Sequence, residues 1–355
     1  MPVTERSGIL AAGNWIVDHV KLIDTWPSEE TLAIISRETQ GMGGAPPNVL
    51  AGLARLGAKF PLSGAGIVGY DAAGDWILEQ CAKLGIDTGL IIRTHEGPTS
   101  YTDVMNVERT GRRTFFHQRG VNALLGPESI YLASSSAKLF HLGYLLLLDR
   151  LDQPGKSKGT AAAELLDSAS RLGFITSVDV VSEESNRYPR IVLPALPHVD
   201  LVFLNEFEAG HVFSTEIRVN GKIDSSELLK TAHALISAGI RQWVVIHFPE
   251  GVLAVSHQSK TIFQPSVRLP GEKIIGSTGA GDAIAAGILL GFHEDLAMER
   301  CLEIGVCAAA ASLRHPSATE GIEAVEECLR LGQEFGFRES IFGSGDCPSG
   351  PSSVA

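Results

Sequence analysis

The chain has 355 residues, of which 44% are hydrophobic and 20% are charged, so it is long enough to bury one large core with an appendage. Its formal net charge of −12 argues against a protein that binds nucleic acid by neutralising phosphate backbones. The five cysteines are odd in number and include no Cys-x-x-Cys pair, which indicates reduced intracellular thiols and argues against a zinc site or a disulfide framework.

The sequence shows none of the usual targeting or membrane segments. Residues 1–13 lack a basic region followed by an apolar run and a cleavage site. The longest apolar stretches, such as residues 283–292, are too short to span a bilayer. We therefore expect a cytoplasmic protein with no membrane partner.

Segments with one apolar face alternate with short apolar runs along the chain. The segment after Pro46 and Pro47, and the one that contains Ile77 and Cys81, have the apolar spacing of amphipathic helices. Such segments end in a glycine, the residue that most freely adopts the left-handed conformation just past a helix, at Gly57, Gly85, Gly173 and Gly239.

Three short apolar runs, at residues 174–181, 201–204 and 243–247, are typical of strands that are covered on both faces. The alternation of helices with such strands predicts an α/β fold with a mostly parallel sheet and helices on either side.

One stretch breaks this alternation. Residues 101–107 and 114–118 are β-rich and are joined by the polar residues 108–113, which predicts an antiparallel hairpin. Such an insertion is compatible with a small lid, with a dimerisation flap or with an edge feature that has no function. We expect one domain at residues 1–342, followed at residues 343–355 by a disordered tail rich in Gly, Pro and Ser.

The strongest chemical signal is the motif Gly-Ser-Thr-Gly-Ala-Gly-Asp at residues 276–282, which opens an apolar segment. Small residues let successive main-chain N–H groups point at one spot at a helix N-terminus, where the dipole also favours anions. The motif therefore predicts a site for a phosphate or an oxyanion. Asp282 would repel that anion unless it takes a proton from an attacking hydroxyl, so it is either a general base or only the cap of its helix.

Two further segments carry polar groups where α/β proteins bind ligands. The loop at residues 41–48 contains paired glycines and ends at Asn48, which offers a donor and an acceptor to a polyol or only caps a helix. Asn205 and Glu208 follow the run 201–204, at the carboxyl end of a strand. There Glu208 either holds Mg²⁺ through water or only begins a helix.

In order and spacing, these segments resemble the PfkB or ribokinase-like carbohydrate kinases. The resemblance runs over residues 13–321 and rests on four motifs, which are Gly43-Gly44 with Asn48, Gly69-x-Asp71-x-x-Gly74, Asn205-x-x-Glu208, and Gly279-Ala-Gly-Asp282 with Gly287. It implies a three-layer ribokinase-like fold with a mostly parallel central sheet and a small β lid formed by residues 15–45 and 98–120.

The resemblance also implies an activity, which is ATP-dependent phosphorylation of a hydroxyl of a sugar or sugar acid with Mg²⁺ as cofactor. Asp282 would be the general base, in an anion hole made by the amides of Gly279, Ala280 and Gly281. The residues implied to hold the sugar are Asp18, Gly43, Gly44, Asn48 and Asn122. Those implied to bind ATP are Asn205, Glu208, Thr278, Gly279 and Gly281, with Glu208 positioning the metal and the adenine near residues 308–321.

The sequence departs from the family pattern in two places. Gly276 stands where the family usually has an acidic residue, which weakens the expectation of activation by a monovalent cation. Ile246, His247 and Phe248 align with the family's Thr-Leu-Gly turn near the nucleotide phosphates. His247 either replaces the missing threonine as a donor or is an ordinary histidine at a strand end.

Three alternatives to a sugar kinase remain open. Gly64, Gly66 and Gly69 satisfy the G-x-G-x-x-G fingerprint, which predicts an NAD-dependent oxidoreductase if Asp87 lies at the end of the next strand. A catalytically inert, sugar-binding relative of the kinases is the second alternative, and a nucleoside acceptor is the third. The lid is also a candidate surface for a homodimer.

Overall fold

The computed structural model describes residues 6–110 and 112–342. The tail predicted at residues 343–355 lies outside the described residues, as does Cys347. Four cysteines, Cys81, Cys301, Cys307 and Cys328, lie within the described residues, and all four are buried and free. No helix in the described part of the chain is long and apolar enough to cross a membrane.

The strands, in chain order, are β1 (Ile9–Gly13), β2 (Ile16–Ile23), β3 (Ile35–Gly43), β4 (Leu62–Gly69), β5 (Asp87–Thr94), β6 (Ser100–Val107), β7 (Arg113–Gln118), β8 (Leu139–Leu145), β9 (Ile175–Val180), β10 (Leu201–Asn205), β11 (Arg218–Val219), β12 (Lys222–Ile223), β13 (Trp243–Phe248), β14 (Gly251–Ser256) and β15 (Thr261–Pro265). The helices are α1 (Ala45–Leu56), α2 (Ala72–Lys83), α3 (Ala161–Arg171), α4 (Tyr188–Val192), α5 (Glu206–Phe213), α6 (Ser225–Ser237), α7 (Ala280–His293), α8 (Met298–Ser312) and α9 (Val325–Phe335).

The central sheet has nine strands in the order β15-β14-β13-β10-β9-β8-β1-β4-β5. The strands from β13 to β5 run parallel, and β14 and β15 form an antiparallel edge. The three apolar runs expected to be strands are β9, β10 and β13, which are neighbours in this sheet. The prediction of a mostly parallel sheet is therefore confirmed.

Helices cover both faces of the central sheet, which gives the three layers expected from the sequence. One face packs against α1, α2, α7, α8 and α9, in a core that includes Val49, Ile77 and Cys301. The other face packs against α3, α4, α5 and α6, in a core that includes Leu165 and Leu228.

The glycines expected to end helices follow four of them. Gly57, Gly85, Gly173 and Gly239 have φ angles of 90°, 68°, 84° and 120°. A side chain at any of these positions would be strained, which explains why glycine follows α1, α2, α3 and α6.

A second sheet of four strands, in the order β3-β2-β6-β7, stands apart from the central sheet. β6 and β7 pair antiparallel, which confirms the predicted hairpin. β2 pairs antiparallel with β3 and parallel with β6. The hairpin is thus one half of a larger sheet, whose other half comes from the residues between β1 and α1.

The glycines of the dinucleotide fingerprint do not form a turn between a strand and a helix. Gly64, Gly66 and Gly69 all lie within β4. A Cβ at Gly64 or Gly66 would approach the buried indole of Trp15 to 2.5 or 2.2 Å, so these glycines make room for that ring. The oxidoreductase interpretation is wrong because Gly64 and Gly66 lie inside β4 and serve packing, and the helix that follows, α2, is already capped by the Asp71 carboxylate.

Candidate active site

A cavity of about 830 Å³ lies between the carboxyl ends of the parallel strands and the four-stranded sheet. Strands β8, β9, β10 and β13 bring Tyr144, Asp179, Asn205 and His247 to it. The carboxyl ends of parallel strands are where open α/β sheets bind ligands. The four-stranded sheet closes the opposite side.

Asp282 lies in the first turn of α7 and is buried, yet its carboxylate does not cap the helix. Its Oδ2 accepts a hydrogen bond from Asn48 Nδ2 at 2.9 Å. The Tyr144 hydroxyl donates to Oδ1 at 2.8 Å and to Oδ2 at 2.9 Å. The interpretation of Asp282 as only a helix cap is therefore wrong, because its oxygens face side chains from α1 and β8.

Burial raises the pKa of Asp282 to about 7, against the opposing effect of the hydrogen bonds from Tyr144 and Asn48. Asp18 on β2 also has a pKa raised to about 7, first by burial and then by the charge of Asp282. Burial, with the charges of Asp282 and Glu208, raises the pKa of Asp179 well above its usual value. The cavity thus contains several buried carboxyl groups, and their negative charge has to be stabilised by a cation or removed by protonation.

The turn before α7 admits only small residues. Gly279 has a φ of 74°, and a Cβ there would lie 2.4 Å from that of Ala318. A Cβ on Gly281 would lie 2.9 Å from Cε1 of His247. Gly279, Ala280 and Gly281 all line the cavity, and the first N–H groups of a helix have no acceptor inside it. This turn, at residues 278–281, therefore has the properties of an anion site and is called the anion turn below.

Arg113 on β7 reaches from the four-stranded sheet to the anion turn. Its Nη1 donates to Oγ1 of Thr278, and its side chain lines the cavity. Burial lowers the pKa of Arg113, and among the described residues it forms no ion pair with a carboxylate. A cation without a counter-charge thus lies beside the predicted phosphate site.

His247 lies at the end of β13 against Gly281. Burial lowers its pKa to about 4, so the ring is neutral at pH 7. Neither ring nitrogen makes a hydrogen bond to the part of the chain that the structure describes. No protein group among the described residues satisfies this ring, and a ring N–H is left as a donor toward the cavity.

On the other side of the cavity, the glycines of the loop before α1 pack tightly. A Cβ on Gly43 would lie 2.3 Å from Oδ1 of Asp18. Gly44 has a φ of 94°, which disfavours any other residue. Asn48 is buried, and its Oδ1 has no hydrogen-bond partner among the described residues. An acceptor atom without a donor thus lies next to the oxygens of Asp282.

Comparison with known proteins identifies the family. Residues 11–325 match the model of the pfkB family of carbohydrate kinases. The chain belongs to this family. An uncharacterized sugar kinase of Archaeoglobus fulgidus is 26% identical over 76% of this chain and 98% of its own length. An ATP-dependent ribose-1-phosphate kinase of Halopiger xanaduensis is 25% identical over 92% of this chain and 99% of its own length.

Solved structures show the same fold for this PfkB kinase. Ribokinase of Arabidopsis thaliana, complexed with ribose and ATP, superimposes with a TM-score of 0.74 at 18% identity, over 92% of this chain and 98% of that one. Ribokinase of Giardia lamblia gives a TM-score of 0.76 at 17% identity, over 93% of this chain and 99% of that one. The fold and the family expected from the motifs are thus confirmed.

Asn205 and Glu208 form a capping box in this kinase. Asn205 caps α5, and Glu208 accepts from the Asn205 main-chain N–H at 2.8 Å and from its Nδ2 at 2.8 Å. The Ser182 hydroxyl also donates to Glu208, at 2.7 Å. Burial raises the pKa of Glu208 to about 7. Both residues also line the cavity, so they cap α5 and at the same time border the space in which a ligand could bind.

The donor set of the cavity fits Mg²⁺ bound mainly by phosphates and water. Within the described residues, no group of three or more His, Cys, Asp or Glu side chains is arranged to hold a metal by itself. Mg²⁺ typically keeps several waters and adds one or two carboxylates together with substrate phosphates. Glu208 offers such a carboxylate, already oriented by Asn205 and Ser182.

Asn122 is the one predicted site residue whose side chain is fully engaged elsewhere. Its Oδ1 accepts from the Trp15 N–H at 3.2 Å, and its Nδ2 donates to the Trp15 carbonyl at 3.0 Å. The structure does not bring it to the lining of the cavity. Asn122 instead clamps the connection between β1 and β2, just ahead of Asp18.

Sequence reasoning missed several residues of the cavity. Tyr144 and Asp179 lie within apolar runs, where they looked like ordinary strand residues, and Arg113 lies at the end of the polar connection predicted at residues 108–113. For Asp179 a signal existed, since an acidic residue inside a strand buried on both faces needs a special reason. Tyr144 and Arg113 offered no comparable signal.

Proposed function

We propose that this PfkB kinase transfers the γ-phosphoryl group of ATP to a hydroxyl of a sugar or sugar acid, with Asp282 as the general base. The observation that carries the proposal is the position of the Asp282 carboxylate. It lies at the mouth of α7, beside the anion turn, and faces the cavity shared with Asp18 and Asn48. One carboxylate thus borders both the predicted phosphate site and the predicted acceptor site.

Phosphoryl transfer requires mainly that the reacting groups are positioned and that the charge of the transferring group is neutralised. The acceptor hydroxyl would donate its proton to Asp282 as its oxygen attacks the γ-phosphorus. The N–H groups of Gly279, Ala280 and Gly281 would stabilise the developing charge, and the loss of one such donor typically costs about 3 kcal/mol. Arg113 and the neutral His247 ring would add donors from the four-stranded sheet and from β13.

Glu208 would hold Mg²⁺ through water, and the ion, when bound, would supply positive charge that offsets the charge of the phosphates. Closure of the four-stranded sheet over the cavity would exclude water from the reaction. A location in the cytoplasm, where ATP is available, fits this activity. Gly276 gives no side-chain ligand for a monovalent cation, so the proposal does not include activation by such a cation.

For the acceptor, we favour a hexose or a sugar acid over a nucleoside. The segment Gly43-Gly44-Ala45-Pro46-Pro47-Asn48 resembles the loops of fructokinases and keto-deoxy-gluconate kinases. The unpartnered Oδ1 of Asn48 and the carboxyl of Asp18 suit a polyol, which presents several hydroxyl donors. The Arg113 guanidinium would in addition favour an acceptor with an acidic group.

The test is a screen for ADP release with sugars, sugar acids and nucleosides, repeated with Asp282→Asn. We expect turnover on a sugar or sugar acid and a loss of at least about a hundredfold in the variant, as removal of a general base implies. Thermal unfolding of the variant serves as the folding control. Equal turnover in the variant would refute the role of Asp282. Sugar binding without ADP release on any acceptor would identify an inert relative.

A further inference from the structure

Tyr144 makes a contact with Asp282 that the proposed transfer does not require. Its hydroxyl donates to both carboxylate oxygens, at 2.8 and 2.9 Å. Burial, together with the charges of Asp282 and Asp179, raises the pKa of Tyr144 well above its ordinary value, so the hydroxyl keeps its proton. An alcohol O–H therefore already points at the proposed base.

The main chain around Tyr144 is fixed from two sides. The Tyr144 N–H donates to Oδ1 of Asn14 at 2.9 Å, and Nδ2 of Asn14 donates to the Leu147 carbonyl at 3.0 Å. Strand β8 also lies between β1 and β9 in the sheet. Release of Asp282 by Tyr144 therefore requires rotation of the side chain, since the backbone is held in place.

The contact has the geometry that an acceptor hydroxyl would need. In a transfer that uses Asp282 as base, the acceptor O–H must donate to this carboxylate before its oxygen attacks phosphorus. Given the function proposed above, we infer that Tyr144 holds the acceptor's place on Asp282 and thereby blocks phosphoryl transfer to water.

The inference follows from what would occupy that place without the hydroxyl. The surroundings are polar, with Asp282, Asp18 and Asp179 close enough to influence Tyr144, so a water would find partners there. Such a water would attack the γ-phosphorus, lose its proton to Asp282, and release ADP and phosphate as the bond to the bridging oxygen breaks. A sugar displaces Tyr144 because its other hydroxyls gain contacts with Asp18 and Asn48 at the same time, whereas a single water has no further hydroxyls with which to compete against the Tyr144 side chain.

The test compares ADP release without any acceptor in the wild type and in Tyr144→Phe, which removes only the hydroxyl. We expect this acceptor-independent hydrolysis to rise roughly tenfold in the variant, because water then reaches an active base. The double variant Tyr144→Phe with Asp282→Asn should lose the increase. Tyr131→Phe is the matched control, since Tyr131 is exposed and remote from the cavity lining, and it should hydrolyse ATP like the wild type.

The outcomes separate the role of Tyr144 from the function on which it rests. A wild type that phosphorylates an acceptor, combined with Tyr144→Phe that hydrolyses ATP no faster, overturns the inference alone. A fall in both activities would mean that Tyr144 only positions Asp282, which also overturns it. A wild type without turnover on any acceptor removes the proposed function itself. If Tyr144→Phe folds poorly, Tyr144→Leu should show the same increase.

Discussion

At the scale of single residues, the pKa of each carboxyl group in the site depends mainly on how deeply that group is buried. Asp282 is buried, which favours its protonated form, but it also accepts hydrogen bonds from Asn48 and Tyr144, which favour the ionised form. Burial has the larger effect, so the pKa rises to about 7. A base with this pKa is ionised in part of the population at neutral pH and can still receive a proton during turnover.

This shift predicts a pH-dependent difference in stability between the wild type and Asp282→Asn. The pKa of Asp282 is about 7 in the folded state against 3.8 for an ordinary aspartate, so the folded state binds more protons between these values. Ionising the carboxyl as the pH rises from about 4 to 7 therefore destabilises the wild type, whereas Asn cannot ionise. The Tm of the wild type relative to the variant should fall over this range in thermal melts. A relative Tm that rises with pH would contradict the environment described for Asp282.

At the scale of elements, the start of α7 is shaped by its contact with the end of β13. Gly281 has ordinary helical geometry, yet the His247 ring leaves no room for a Cβ. Glycine is thus required there by the neighbour and not by the backbone. The same closeness brings the His247 ring to the predicted phosphate site.

Gly281→Ala should therefore impair turnover more than folding. The added methyl group must push away the His247 ring or shift the turn, and we expect kcat to fall by roughly tenfold or more as the proposed anion hole loses its geometry. The Tm should change little, because alanine favours helix and a side chain can move more cheaply than backbone. Gly271→Ala is the matched control, since a Cβ there meets nothing within 4 Å. Equal losses in both variants would argue against a specific role of the turn.

The sequence revealed those elements whose signal is local. Glycines such as Gly57 marked helix ends, and the small residues within 276–282 marked the tight turn before α7, because each feature depends on neighbours in the chain. Tyr144 and Arg113 could not be found in this way. They meet Asp282 and Thr278 across separations of 138 and 165 residues, and only the packing of the strands brings them together.

Asn122 shows the opposite error. Its segment matched a family motif, but the asparagine amide satisfies the main chain of Trp15 instead of facing the cavity. A motif fixes where a residue stands in the chain, whereas the direction of its side chain depends on which polar groups nearby lack partners. Here the buried main-chain N–H and carbonyl of Trp15 needed partners, and the Asn122 amide supplies them.

At the scale of the whole molecule, the four-stranded sheet has two different faces. Phe115 lines the cavity, and side chains alternate along a strand, so Phe116 points to the opposite face. There Phe116 stacks on Trp26 with ring centroids 6.1 Å apart, and both rings are about half exposed. Exposed aromatic pairs of this kind mark interaction surfaces. We propose that this face is the interface of a homodimer, for which the sequence made the lid a candidate surface.

The mass of the protein in solution tests this proposal. The wild type should elute as a dimer in size-exclusion chromatography with light scattering, and Phe116→Glu should be monomeric, because a charge on each partner would be buried without a counter-ion. Leu296→Glu changes a comparably exposed apolar residue on the main body and should remain dimeric. A monomeric wild type, or dimers of all three proteins, would contradict an interface on this face.

The four-stranded sheet is joined to the rest of the described molecule by four connections, which are β1 to β2, β3 to α1, β5 to β6, and the segment after β7. A lid attached at one or two points can move one strand independently of the others. With four attachments, the strands have to move together as a rigid body, and all four connections bend at the same time. A change that stiffens any one of these connections would consequently slow opening and closing of the entire sheet.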